Sequence, residues 1–188
     1  MTWSTFHHRG AILQTVVETA DQRCDGLLPL DLPGVAETFH DELDLVAALW
    51  LKWNARLSGN LERALMSQPL DLEGATASAW IQTSEQLPGV RMILDRYSET
   101  PSDPEMAAAL TRANQKEWAR LAAAAGLAND ESAAAARVGR ELQARARVQA
   151  AARRADESAA ALLADATTDV DDAISPSLVD RIKAVLAA

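Results

Sequence analysis

At 188 residues, 48% of them hydrophobic and 24% charged, the chain has the length of one domain and a near-average globular balance. Five Trp outnumber two Phe and one Tyr, and abundant Ala with few β-branched residues argues for helix rather than sheet. A net charge of −9 argues against general affinity for nucleic acid or anionic membrane, and the single cysteine, Cys24, excludes an intrachain disulfide and any multi-cysteine metal centre.

The opening MTWSTFHHRG has no apolar core of the kind a signal peptide needs, and no run of about 18 apolar residues is uninterrupted, so a cytoplasmic protein without a membrane span is expected. A first helix is predicted from Ser4 to Arg23, capped by Ser4, with Phe6, Leu13, Val16, Val17 and Ala20 near helical spacing. Gly10 weakens it locally. CDGLLPLDLPG ends it: Gly26 suits a left-handed turn, and Pro29 and Pro33 each bar the preceding residue from continuing a helix.

The second helix carries the clearest pattern, because Phe39, Leu43, Val46, Trp50, Trp53 and Leu57 alternate spacings of four and three. That is a seam for packing another helix, and Leu45, Ala48 and Leu49 widen it. SGN at 58–60 is a place to bend, after which LERALMSQ continues the helix to about Gln68, for a length of ~45 Å. Pro69 stops it. Asp71 then caps a third helix to about Gln86, with Leu72, Ala75, Ala79 and Trp80 inward.

LPG at 87–89 breaks the chain before VRMILDRY, where Val90, Ile93, Leu94 and Tyr97 form a short stripe. The next helix starts from SETPSDPE, with Ser102 and Glu105 at capping-box spacing and Pro104 in the first turn, and reaches about Ala125. From Asn129 to about Asp165 the sequence is an Ala, Arg and Glu helix former whose large apolar anchors are only Val138, Leu142, Val148, Leu162 and Leu163. Helices depend on tertiary burial, so this segment is predicted to be an arm. TTDVDDAISPS reads as an acidic linker, and SLVDRIKAVLAA as a short amphipathic helix. The fold class is therefore all-α: a helical bundle over about 1–125, an Ala/Arg-rich helical arm over 126–166, a flexible acidic linker over 167–176 and a terminal amphipathic helix over 177–188.

Four groups of residues carry functional expectations. Glu37 and His40 have the Glu-x-x-His spacing that di-metal carboxylate bundles use, because i and i+3 on a helix aim both ligands at one point. Glu18 and Asp21 would fall near the same end if the first two helices were antiparallel. Asp41 and Asp44 lie on the same side. The second Glu-x-x-His of a di-metal centre is missing, and a solvated polar face beside Phe39 and Leu43 explains the same residues. Trp50 and Trp53 would line a pocket for a flat or apolar ligand, or simply fill the core.

Positive charge is concentrated in residues 137–154, with six Arg against one Glu, and pairing with acidic segments of this chain or of a partner explains it better than nucleic acid does. Leu178, Ile182, Val185 and Leu186 form an apolar stripe suited either to docking in a partner's groove or to folding back on the chain's own bundle. Cys24 lies between Asp21 and Asp25, surroundings that disfavour a reactive thiolate. Phosphate loops, nucleophile elbows, zincin helices and zinc knuckles are missing from the sequence.

In TWSTFHHRG, DGLLPLDLPGVAETF, ALMSQPLDLEGATASAW, LPGVRMILDRY and the terminal SLVDRIKAVLAA, the chain resembles an uncharacterised family of helical proteins from high-GC actinobacteria. Fifteen Arg against three Lys fit a high-GC coding sequence. The resemblance implies no activity, cofactor or site residue. The expectation is a non-catalytic interaction, regulatory or adaptor protein that contacts a protein partner or its own copies through helical surfaces and needs no cofactor. The alternative is a metal-binding bundle, possibly an enzyme, built on Glu37 and His40.

Overall fold

The computed structural model describes the backbone of residues 3–186 and the side chains of residues 7–162. Among them are seven helices and no strand: α1 (Trp3–Arg23), α2 (Val35–Thr38), α3 (Glu42–Ser67), α4 (Leu72–Gln86), α5 (Pro88–Glu99), α6 (Pro104–Ala124) and α7 (Ala133–Leu186). The chain forms two compact units, residues 1–146 and 147–188. The first holds α1 to α6 with the opening turns of α7, and the second is the remainder of α7.

Local chemistry sets most boundaries. Asp71 caps α4 by accepting from the Gly74 N–H at 2.9 Å, and Pro88 opens α5 in the first turn, where its missing N–H leaves no helical bond unmade. Two starts differ from the sequence expectation. Asp103, not Ser102, caps α6, accepting from the Met106 N–H at 2.8 Å, while the Ser102 hydroxyl donates to Glu42 at 3.0 Å.

The long second helix also begins later than predicted. Phe39 has extended backbone (φ −111°, ψ 132°), and Asp41 caps α3 by accepting from the Asp44 N–H at 2.8 Å. Periodicity could not distinguish these starts, since Phe39 is buried in either case. Through 58–60 α3 continues unbroken, and buried Asn60 donates to the Thr83 hydroxyl at 2.8 Å.

The core lies along α3, where Leu45, Leu49, Trp53 and Leu57 are fully buried. At about 1.5–3 kcal/mol per large apolar side chain, this helix is the main source of hydrophobic stabilisation. α4, α5 and α6 pack on it with Trp80 and Ile81, Val90 and Ile93, and Met106 and Leu121. α1 packs on α5: the Gly89 N–H donates to the Asp21 carboxylate at 2.9 Å, and a β-carbon at residue 89 would collide with the Ala20 carbonyl.

The bundle is predicted from sequence over about 1–125, and the first compact unit runs on to Ala146. Ala135, Ala136, Leu142, Gln143 and Ala146 of α7 are buried. Gly139 lies so close to the Trp118 carbonyl that a β-carbon there would overlap it. Small residues hold these helices by close approach of backbones, which a count of large apolar side chains does not detect. The backbone of α7 is also helical across 167–176, where a linker is predicted from sequence.

Candidate functional site

The described side chains gather into three features: a buried polar hub, an apolar groove and a basic cleft. Glu117 of α6 is the centre of the hub, at 1% exposure. One carboxylate oxygen accepts from the Trp53 indole at 2.9 Å. The other accepts from the Gln143 amide at 2.7 Å and the Trp80 indole at 3.3 Å. Arg91 stands 3.7 Å from that second oxygen, pairs with Asp95 at 2.7 Å and lays its guanidinium 4.8 Å from the centre of the Trp53 ring.

Five helices thus meet at one buried anion. A buried carboxylate is tolerated only when hydrogen bonds and a cation replace its water, and those groups are present here. All are engaged with one another, which is a structural arrangement rather than a reactive one. Trp53, expected as pocket or core, is core.

The groove lies between α3 and α6. These helices run side by side in one direction, since Ser102 meets Glu42, Glu117 meets Trp53, and Arg120 donates to Asn54 at 3.0 Å. Leu43, Val46, Ala47, Trp50 and Leu51 of α3, with Ala109, Leu110 and Ala113 of α6, line an almost wholly apolar cleft of about 220 Å³. Leu51 stands at its rim, 63% exposed. Trp50 therefore does border a cleft, though with Leu51 rather than with Trp53.

The third feature lies between α6 and the start of α7. Arg112, Gln115, Lys116, Trp118 and Ala119 face Glu131, Ser132, Ala133, Ala136, Arg137 and Arg140 around a cleft of about 530 Å³. Trp118 is held in place because its indole donates to Gln143 at 2.8 Å, and the Arg140 guanidinium sits 5.4 Å from the centre of its ring. The sequence located half of this positive charge, in 137–154. Arg112 and Lys116 share one face of α6 at i,i+4, and it takes the fold to bring them opposite Arg137 and Arg140.

The four residues expected to bind metal do not come together. Glu37 lies in α2 and His40 in the turn after it, so the i,i+3 geometry on one helix is lost. Glu18 is exposed and accepts from Gln14 at 2.8 Å. Asp21 receives the Gly89 and Val90 N–H groups at the start of α5; burial pushes its carboxyl up while those two bonds pull it down. Among the described residues no three His, Cys, Asp or Glu side chains converge as metal ligands would. Leu178, Ile182, Val185 and Leu186 lie outside the described side chains.

The stretch around His40 works as a joint. Arg9 of α1 pairs with Asp44 at 2.7 Å, donates to the Thr38 carbonyl at 3.0 Å and lies 4.4 Å from the centre of the Phe39 ring. The Arg9 side chain, with a smaller contribution from the His40 N–H, holds the Asp44 carboxyl below its usual range against the opposing effect of burial. Stability from a lowered carboxyl is fully present above about pH 3.9 and is lost as pH falls through the lower folded value. The pair is about one-third exposed, so its worth is at most ~1 kcal/mol. Asp44→Asn is expected to remove that increment at neutral pH and to flatten the acid limb of Tm against pH. Equal slopes in variant and wild type would contradict the assignment.

Among the described residues, no helix is long and apolar enough to cross a membrane. No protein-family profile, curated protein or solved structure matches the chain.

Proposed function

We propose that the chain acts by non-covalent contact, as a helical interaction protein, and that the α3–α6 groove is its contact surface with a second copy of the chain. The observation that carries this reading is the apolar cleft with Leu51 exposed at its rim. Leu43, Ala47 and Leu51 are spaced by four along α3, and Ala109 and Ala113 by four along α6, so both helices offer a ridge and a valley to an incoming helix.

A projecting leucine beside a hollow on one face is self-complementary under a twofold axis, where each Leu51 enters the other copy's cleft. Charge supports the same occupant. α3 opens with Glu42 and carries the exposed Arg56 farther along, while α6 opens with Glu105. A twofold axis near Leu51 sets the two α3 helices antiparallel, bringing acidic starts toward basic middles.

Leu51→Lys places a charge on each side of the contact without touching the core. Sedimentation velocity is expected to show a concentration-dependent dimer for the wild type and a monomer for Leu51→Lys, with unchanged melting temperature. A wild type that stays monomeric at high micromolar concentration would sink the reading, as would a variant that dimerises equally well.

A further inference from the structure

The basic cleft between α6 and α7 is independent of that dimer contact and points to a ligand. Among the described residues, Arg112, Lys116, Arg137 and Arg140 form no ion pair, and the cleft has one carboxylate, Glu131. Some cations of the chain are neutralised by its own carboxylates, as in Arg9–Asp44, Arg23–Asp31 and Arg145–Glu73, while others, Lys52 and Arg56 of α3 among them, form no ion pair among the described residues. In a protein of net charge −9, four unpaired cations around one hollow are an arrangement that self-pairing does not explain.

We infer that this cleft binds a small phosphate-bearing anion with at least two charged phosphoryl groups. Its volume of about 530 Å³ falls in the range of small-molecule sites, of order 300–1,000 Å³. Three of the four cations are arginines, whose planar forks match phosphate oxygens two at a time, and Lys116 adds a point charge. The start of α7 at Ser132 and Ala133 adds the partial positive charge of a helix N-terminus on the same wall. Trp118, fixed by Gln143, and Ala119 and Ala136 give a rigid apolar floor. The chain's overall negative charge disfavours an extended polyanion such as nucleic acid, so the ligand is small.

The test is calorimetric titration of the full chain with pyrophosphate and tripolyphosphate at physiological ionic strength. Wild type is expected to bind tripolyphosphate more tightly than pyrophosphate. Arg112→Gln with Arg137→Gln should weaken binding at least about tenfold, the value of one lost charge-assisted contact. Glu131→Gln should tighten it a few-fold by removing the opposing carboxylate.

Arg153→Gln with Arg154→Gln, farther along α7 and outside the cleft lining, should leave binding unchanged and so separates a site from general attraction. All these side chains are exposed, so the variants should keep the wild-type melting temperature. The inference is overturned if neither phosphate binds at millimolar concentration, if both double variants weaken binding equally, or if a poly-glutamate peptide binds more tightly than tripolyphosphate. The last outcome would assign the cleft to an acidic protein segment instead.

Discussion

Glu117→Ala is expected to destabilise the protein by about 3–5 kcal/mol, the range for removing one partner of a buried charged pair. The loss is larger than that of a cavity alone because of what remains. Trp53 and Trp80 keep indole N–H groups that pointed at the carboxylate, and Gln143 keeps an amide donor. Arg91, at 8% side-chain exposure, is left with Asp95 as its remaining anion. Its Nε and Nη1 already lack hydrogen-bond acceptors with Glu117 present, so the variant removes one of the two carboxylates that face this guanidinium without supplying a substitute.

Glu117→Gln should be intermediate, since its amide oxygen can accept from one indole while its NH2 group opposes the other donors. Glu117→Met combined with Arg91→Met should cost less than the sum of the single changes, because neither partner is then left charged and alone. Guanidinium unfolding followed by Trp fluorescence measures these variants, with Trp53 and Trp80 reporting directly from the hub. A Glu117→Ala protein within about 1 kcal/mol of wild type would show that the hub is incidental.

A second large effect is expected at Gly139, and its sign is diagnostic. Replacing glycine by alanine inside a helix ordinarily stabilises by about 0.8–1 kcal/mol. Gly59 in α3 has open space around a β-carbon and should show that gain. At Gly139 the same methyl group would enter the Trp118 carbonyl, so α7 must move away from α6. Overpacking of this kind costs about 1–3 kcal/mol, and here it also draws Gln143 away from Glu117 and Trp118. Gly139→Ala should therefore lose stability where Gly59→Ala gains it. Denaturant midpoints and amide exchange in residues 133–146 provide the comparison. A Gly139→Ala protein as stable as wild type would mean that α7 is not held to α6 as described.

Helix-forming stretches and most core positions were legible in the sequence because they depend on neighbours three and four residues away. Val46, Trp53 and Leu57 in α3 and Ala75, Ala79 and Trp80 in α4 are inward as their spacing predicts. Asp71 is the cap that its position before Leu72 suggests. The role of α7 was not legible, since alanine and glycine bury themselves by letting backbones approach and leave no amphipathic signature. Glu117 was missed for a different reason. Its partners lie 26, 37 and 64 residues away, and no local pattern joins them. A signal did exist: Leu110, Glu117 and Leu121 follow at seven and four, which puts a carboxylate on the apolar seam of α6.

The basic cleft was half legible, with its α7 arginines visible as a charge cluster and its α6 cations hidden among ordinary surface residues. The metal reading at Glu37 and His40 depended on one helix containing both. Asp41 instead starts a new helix, and Arg9 occupies Asp44.

The clamp of Asp21 on the start of α5 bears on the order of assembly. It joins residues 68 apart in the chain, whereas α3 and α4 meet across the short link at 68–71. Closing the longer loop restricts the unfolded chain more, and contacts distant in sequence generally form after local ones. α3 and α4 can therefore associate early, with α1 closing over Gly89 only once α5 is in place. Interactions made after the rate-limiting step mainly slow escape from the folded state. The clamp thus acts as a latch whose strength is felt in how long the closed bundle persists, more than in how quickly it forms.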